Sequence, residues 1–162
     1  IESGSDIVLK KVTKGAVAKT IIKSVNKAKE AGYIMSCMVI LGLGGKKYSK
    51  EHIKGTAEVI SSCSPNYVGA LTLYLENGIK QEFIDKYNGE FVKINDDEGL
   101  EELYELVNQI NTEQEIVFRV NHGSNAYTVK GTFPQDKQEM LEKVEWMKEH
   151  PEIVRPQGIR GF

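Results

Sequence analysis

The sequence is poor in cysteine, in charge of one sign and in long clean apolar runs, and each shortage excludes a class of function. The only two cysteines, Cys37 and Cys63, are far apart and have no ligand spacing. They build neither a disulfide framework nor a clustered thiolate site, so two reduced structural thiols are expected. Lys and Arg number 21 against 23 Asp and Glu, a net charge of −2, so there is no strong nucleic-acid signal of the kind a clustered basic excess gives. No apolar stretch is long enough to span a bilayer. Residues 1–6 read as neither a signal nor a transit peptide. A cytoplasmic protein is therefore expected. His52, His122 and His150 are dispersed, and no metal site is expected from them. A Gly-x-Ser-x-Gly elbow is missing, as is a cysteine beside a histidine, which argues against hydrolases.

What is present is enough for one ordinary domain, residues 1–162, with 40% hydrophobic residues to build a core. Its organising stretch is Tyr33 to Gly45, an almost unbroken apolar run ending in glycines. The run predicts a strand buried on both faces, as in parallel sheets covered by helices. Its glycines let the backbone turn sharply and approach a neighbour closely. Ligands of α/β folds sit at that end of a strand, so residues 41–47 are either a ligand loop or a tight turn.

Around this strand the periodicities predict alternating helices and strands. Ser5 caps a short helix from Asp6 to Lys11. Ala16 to Ala31 is amphipathic, with Val17, Ile21, Val25 and Ala28 on its apolar stripe. Ser49 is placed to cap a helix to about Ser62, with Ile53, Ala57 and Ile60 inward. Tyr67 to Leu75 is a second strand, Ile79 to Tyr87 a short helix, and Phe91 to Ile94 a short extended piece. A helix opens at Asp96 with Leu100, Leu103, Val107 and Ile110 inward. Glu115 to Asn121 is a third strand, followed by a loop containing Lys130-Gly131. Pro134 suits the first turn of the last helix, about Gln135 to Glu149, with Met140, Leu141, Val144 and Met147 inward. The tail, residues 155–162, reads as an extended strap. Strand–helix–strand order implies parallel pairing with right-handed crossovers. Three such strands leave open edges, so the chain reads as part of a larger sheet whose earlier strands are missing.

Three polar groupings could carry chemistry. Glu2-Ser3-Gly4-Ser5-Asp6 offers acceptors for ribose hydroxyls or an amino group, or is simply a helix cap. Leu41 to Lys47 fits neither the Walker loop nor the dinucleotide fingerprint, although its backbone amides could meet a planar base. Arg119-Val120-Asn121-His122-Gly123-Ser124-Asn125 gathers polar side chains at a strand end, where His122 either meets substrate or is a hydrogen-bonded loop residue.

Taken together, Glu2-Ser3-Gly4-Ser5-Asp6-x-Val8-Leu9 with Lys14-Gly15, Ile40 to Gly45 with Ser49 and His52, and Leu71-Thr72-Leu73 resemble radical S-adenosylmethionine (SAM) proteins. The branch resembled holds anaerobic coproporphyrinogen oxidases, methylthiotransferases and Elongator-3-like enzymes. Phe118-Arg119-x-Asn121-His122-x-Ser124-Asn125, Lys130-Gly131-Thr132-x-Pro134-x-Asp136-Lys137 and the tail from Arg155 to Gly161 resemble a bacterial subgroup of Fe-S oxidoreductases. The resemblance covers essentially the whole chain. It implies an α/β fold, the second half of a partial (β/α)6 TIM-type barrel with parallel strands and covering helices. It implies that Glu2 and Ser3 contact the ribose and methionyl parts of SAM. Ile40, Gly42, Leu43 and Gly44 match the motif beside the adenine, with Gly45 where many relatives have Glu. Leu71 and Thr72 match the sixth strand near the cofactor, and Asn121, His122, Ser124 and Asn125 lie near the substrate. The three cysteines that hold the family's [4Fe–4S] cluster would lie in a missing N-terminal half, the expected partner of this chain, so the chain alone should be inactive. The substrate stays unassigned. A non-catalytic α/β module binding a nucleotide or small metabolite is the alternative.

Overall fold

The computed structural model describes residues 1–160. Its elements are α1 (Asp6–Lys11), α2 (Ala18–Glu30), β1 (Ser36–Leu41), α3 (Gly45–Cys63), β2 (Tyr67–Thr72), α4 (Asn77–Lys86), α5 (Asp96–Gln109), β3 (Ile116–Val120), β4 (Val129–Phe133) and α6 (Lys137–Glu149). Two short 3-10 turns, Pro151–Ile153 and Gln157–Ile159, follow. No helix among the described residues is long and apolar enough to cross a membrane.

The sheet is four-stranded, open and mixed, in the order β1-β2-β3-β4. β1, β2 and β3 are parallel. The expectation of a wholly parallel sheet is corrected by β4, which runs antiparallel to β3 from Val129↔Val120 to Phe133↔Ile116. Lys130 and Gly131 interrupt the apolar pattern of this segment, so its sequence reads as a loop. The sheet places Lys130 on the exposed side and buries Val129 and Phe133 on the other, which is ordinary alternation over a very short strand.

β1 was expected to be covered on both faces, but its residues alternate. Cys37, Val39 and Leu41 are buried, whereas Ser36 and Met38 are exposed and Ile40 is half-buried. The parity continues across the sheet, where Val68, Ala70, Ile116, Phe118 and Val120 are buried. The opposite face, with Tyr67, Gly69, Leu71, Val117 and Arg119, holds no buried residue. Right-handed crossovers in unbroken strand order put all the covering helices on one side. There α2 packs on α3, α3 on α5, and α5 on α6.

That side holds the main core. Ile53, Ala57 and Ile60 of α3, Leu100, Leu103 and Val107 of α5, and Met140, Leu141 and Val144 of α6 meet the buried strand residues. Ile110, just past α5, joins them, so the helical stripes read from the sequence are the observed inner faces. Val17 is the exception. It lies 43% exposed, at the N-cap of α2 and outside the helix proper. A second cluster gathers Val8, Leu43, Leu73, Tyr87 and Phe91. Phe83 and Phe91 meet edge-on at 4.9 Å, and Tyr87 donates its hydroxyl to the Leu43 carbonyl at 2.6 Å. This cluster holds α4 against the loop that follows β1.

Several boundaries move. α3 begins at Gly45, with Gly44 as N-cap, so Ser49 is not the cap. The helix kinks at Tyr48, immediately before Ser49, and that kink is the break the serine signalled. Residues 91–94 form no strand. Pro134 follows Phe133 through a cis peptide bond and lies ahead of α6, outside its first turn. The tail is not a fully extended strap, because it contains the two 3-10 turns. It does lie over the body. The Arg155 amide donates to the Ala126 carbonyl, and Arg160 holds Asp96 through two hydrogen bonds of 2.8 and 2.7 Å. Gly161 lies outside the described residues.

Candidate functional site

The carboxyl ends of the three parallel strands carry most of the residues singled out above. On the outer edge of β1, Glu2 forms a parallel bridge to Val39. The Glu2 amide donates to Met38, and the Ile40 amide donates to Glu2. A continuing parallel ladder would next bring Gly4 N–H to the Ile40 carbonyl. The chain leaves instead, and α3 supplies both substitutes. His52 Nε2 meets the Ile40 carbonyl at 2.9 Å, and Thr56 Oγ1 takes the Gly4 amide at 2.9 Å. Gly4 and Gly55 pack backbone to backbone; a Cβ on Gly4 would stand 2.0 Å from the Gly55 carbonyl oxygen.

The tautomer of His52 follows from its partners. A carbonyl only accepts, so Nε2 carries the proton and Nδ1 accepts from Ser3 Oγ at 2.8 Å. Ser3 Oγ in turn accepts the Ser5 amide. Burial lowers the His52 pKa to about 4, so the ring is neutral. The Ser3 hydroxyl is therefore committed to the protein. Glu2 is the polar group left at this edge. Its side chain is 36% exposed and its Oε1 binds Lys14 at 2.8 Å.

At the end of β1, Gly42 has φ +81°, and a Cβ there would stand 3.2 Å from the Ile94 side chain. Its amide donates to Glu102 Oε2 at 2.6 Å, while Ser49 Oγ donates to Glu102 Oε1 at 2.7 Å. Glu102 is 3% exposed. Burial raises its pKa to about 7 against the opposing effect of those two bonds. Sequence reading missed it, because it looks like one more acid in a run of acids. The signal available was its place four residues after Glu98 and between the apolar positions Leu100 and Leu103. Leu43 is buried in the aromatic cluster and Gly44 is crowded by Tyr48 and His52, so both are packing positions. Gly45 has no room for a side chain, since a Cβ would lie 2.9 Å from the Phe91 ring.

At the end of β2, Leu71 faces the open side of the sheet, and Thr72 Oγ1 donates to Asn125 Oδ1 at 3.1 Å. Asn125 is fully buried and donates to the Ala70 carbonyl. It ties the β3–β4 connection to β2. Asn121 and His122 are exposed at the end of β3. His122 Nδ1 accepts the Ser124 amide at 3.2 Å, with Ser124 Oγ 3.0 Å away. Thus Ser124 and Asn125 organise the loop, and Asn121 and His122 remain open to a ligand.

Two cavities flank this region. One of about 800 Å³ opens at the ends of β1 and β2, and its lining includes Gly42, Thr72, Tyr74, Lys80, Lys93 and Tyr127. The other, about 560 Å³, lies between α3 and α5 on the outside, among Lys46, Lys50, Lys54, Glu98, Glu101 and Glu105. The first is favoured, because ligands of parallel α/β sheets bind beyond the carboxyl ends of the strands. Asn121, His122, Ser124 and Asn125 do not line it, and neither does Glu2, which with Cys37 and Met38 lines a separate cavity of about 450 Å³ along the edge of β1. Lys46 and Lys47 are exposed and paired with Glu98 and Glu90.

The polar groups left open at the strand ends sit on Glu2, at the edge of β1, and on Gly42 and Thr72, in the larger cavity. Glu2 offers a part-exposed carboxylate, Gly42 a backbone without a side chain at the cavity wall, and Thr72 a hydroxyl. Cys37 and Cys63 do not fit a cluster beside them. Both are buried, Cys37 near the start of β1 and Cys63 at the last residue of α3, which is the end of the sheet opposite the larger cavity. Comparison with known proteins gives no match: no family model fits the chain, and no curated protein or solved structure is significantly similar to it.

Proposed function

We propose that this chain is the carboxyl-terminal half of a radical SAM barrel, with SAM lying along the ends of β1 and β2. The observation that supports this most is the parallel bridge of Glu2 to Val39. It adds a parallel track before β1, so that the segment 1–3, β1, β2 and β3 lie side by side in unbroken chain order. Singly wound barrels progress in this way, whereas doubly wound sheets reverse at a switch point. In the parent protein, SAM on a [4Fe–4S] cluster would supply a 5′-deoxyadenosyl radical for hydrogen abstraction.

The residues of this chain bind and orient. Glu2 accepts hydrogen bonds from ribose hydroxyls or the methionyl amino group. Gly42, fixed by Glu102, lets a planar base approach the backbone. Thr72, held by Asn125, closes the far side. The cluster must come from another part of the protein.

The test is anaerobic reconstitution of the whole protein with iron and sulfide, followed by measurement of 5′-deoxyadenosine from SAM under a strong reductant. Formation that falls at least tenfold in Glu2→Gln supports the assignment. A folded protein that takes up no cluster and releases no 5′-deoxyadenosine overturns it and leaves a non-catalytic binding module.

A further inference from the structure

The cavity at the ends of β1 and β2 extends well past Gly42 and Thr72, and its outer part has a chemistry of its own. Four charged side chains line it: Lys80 on α4, Lys93 before α5, Asp96 at the start of α5, and Arg160 in the tail. Asp96 and Arg160 satisfy each other through their paired hydrogen bonds. That leaves two ammonium groups, Lys80 and Lys93, which have no hydrogen bond or ion pair with any described residue. The next acids along α5, Asp97 and Glu98, do not line the cavity, and Glu98 is taken by Lys46.

A second observation is independent of these lysines. Tyr127 is only 3% exposed, lines the same cavity, and gives its hydroxyl to no described residue. Among the described residues no fully buried polar side-chain atom lacks a partner, so the Tyr127 hydroxyl reaches the space of the cavity, where it can donate to an acceptor on a bound molecule. Burial raises the Tyr127 pKa, with nearby Asp96 adding to the rise, so the group remains an O–H donor. Gly99 leaves the space it occupies, since a Cβ at Gly99 would stand 2.6 Å from the hydroxyl oxygen. The rest of the wall mixes apolar Leu73, Leu75, Ile84 and Phe91 with polar Thr72 and Asn95.

We propose that this cavity binds an amphiphilic organic anion, with an apolar body on Leu73, Ile84 and Phe91, a carboxylate or phosphate drawn to Lys80 and Lys93, and an acceptor atom bonded by Tyr127. Calling that anion the substrate rests on the function proposed above; its binding does not. The apolar part of the wall strengthens the attraction for an anion of two cations that have no partner among the described residues. A neutral or cationic molecule of the same shape forfeits it.

The test is calorimetric titration of the full chain with 1-naphthoate, 1-naphthyl phosphate and 1-naphthalenemethanol. The expected result is one saturable site at which an anion binds at least tenfold more tightly than the alcohol. The tighter of the two anions identifies the headgroup class. Lys80→Gln/Lys93→Gln, on exposed side chains, should weaken the anion at least tenfold. Tyr127→Phe, which keeps the ring, should weaken it about threefold or more without changing thermal stability. Equal binding of alcohol and anions, no binding of either anion, or anion binding unchanged in the lysine double variant overturns the proposal. Anion binding in a protein that forms no 5′-deoxyadenosine would remove the enzyme reading and keep the anion site.

Discussion

His52 Nδ1 lies 2.8 Å from Ser3 Oγ, joining residues 49 positions apart in the sequence. With Nε2 on the Ile40 carbonyl, one neutral ring holds the first residues of the chain against β1. Everything proposed for Glu2 depends on that latch.

The latch makes stability depend on pH. Burial depresses the His52 pKa to about 4 from an ordinary 6.5, so the unfolded chain binds a proton that the folded chain refuses. Its contribution is complete above about pH 6.5 and is lost as pH falls toward 4, by up to about 3 kcal/mol. His52→Gln should cost about 1–3 kcal/mol at pH 7 and remove that acid-side loss, as measured by urea unfolding at several pH values.

Glu102 acts in the opposite direction. Its pKa is raised to about 7 from 4.5, so folding favours the protonated acid, and its contribution is lost as pH rises from about 4.5 through 7. In the native sequence the two windows overlap and largely cancel. Glu102→Gln should therefore be more stable than the parent at pH 8, by up to about 3 kcal/mol, and should show stability that rises with pH. A variant less stable than the parent at pH 8 would mean that the carboxylate is held ionised by Gly42 and Ser49.

How much of this was legible in the sequence depended on range. The inner stripes of α3, α5 and α6 were readable because helical periodicity is local. Gly42 was legible because an apolar run that stops at glycine marks a turn. β4 was not, since five residues with Lys130 and Gly131 inside them become a strand only by pairing with β3. Glu102 and Tyr127 were missed for a related reason. Their roles arise from elements more than 25 positions away, Glu102 through Gly42 and Ser49, Tyr127 through Gly99. Ser3 was read as a ligand group, but His52 claims its hydroxyl, and nothing near Ser3 in the chain announces that.

The meeting of Gly4 and Gly55 should be the least tolerant backbone contact. Gly4→Ala places a Cβ 2.0 Å from a carbonyl oxygen on α3 and should abolish folding or cost more than about 4 kcal/mol. Gly42→Ala meets only the flexible Ile94 side chain but at φ +81°, and should cost about 1–3 kcal/mol. Chemical denaturation of the two variants gives the ranking, and equal costs would contradict it.

The thiols should be inert in the folded chain. Burial raises the pKa of Cys37, and that of Cys63 to about 11, so little thiolate exists at pH 8. Ellman's reagent should modify neither until urea unfolds the protein. Rapid native modification would show that the α2–α3 side opens readily.

The most direct measurement is a map of backbone amide shifts in the isotopically labelled chain titrated with SAM. The account predicts saturable shifts centred on Glu2, Gly42 and Thr72, with Cys37 and Cys63 unmoved. Shifts confined to the groove between α3 and α5, or none at millimolar SAM, would contradict the placement of the cofactor at these strand ends.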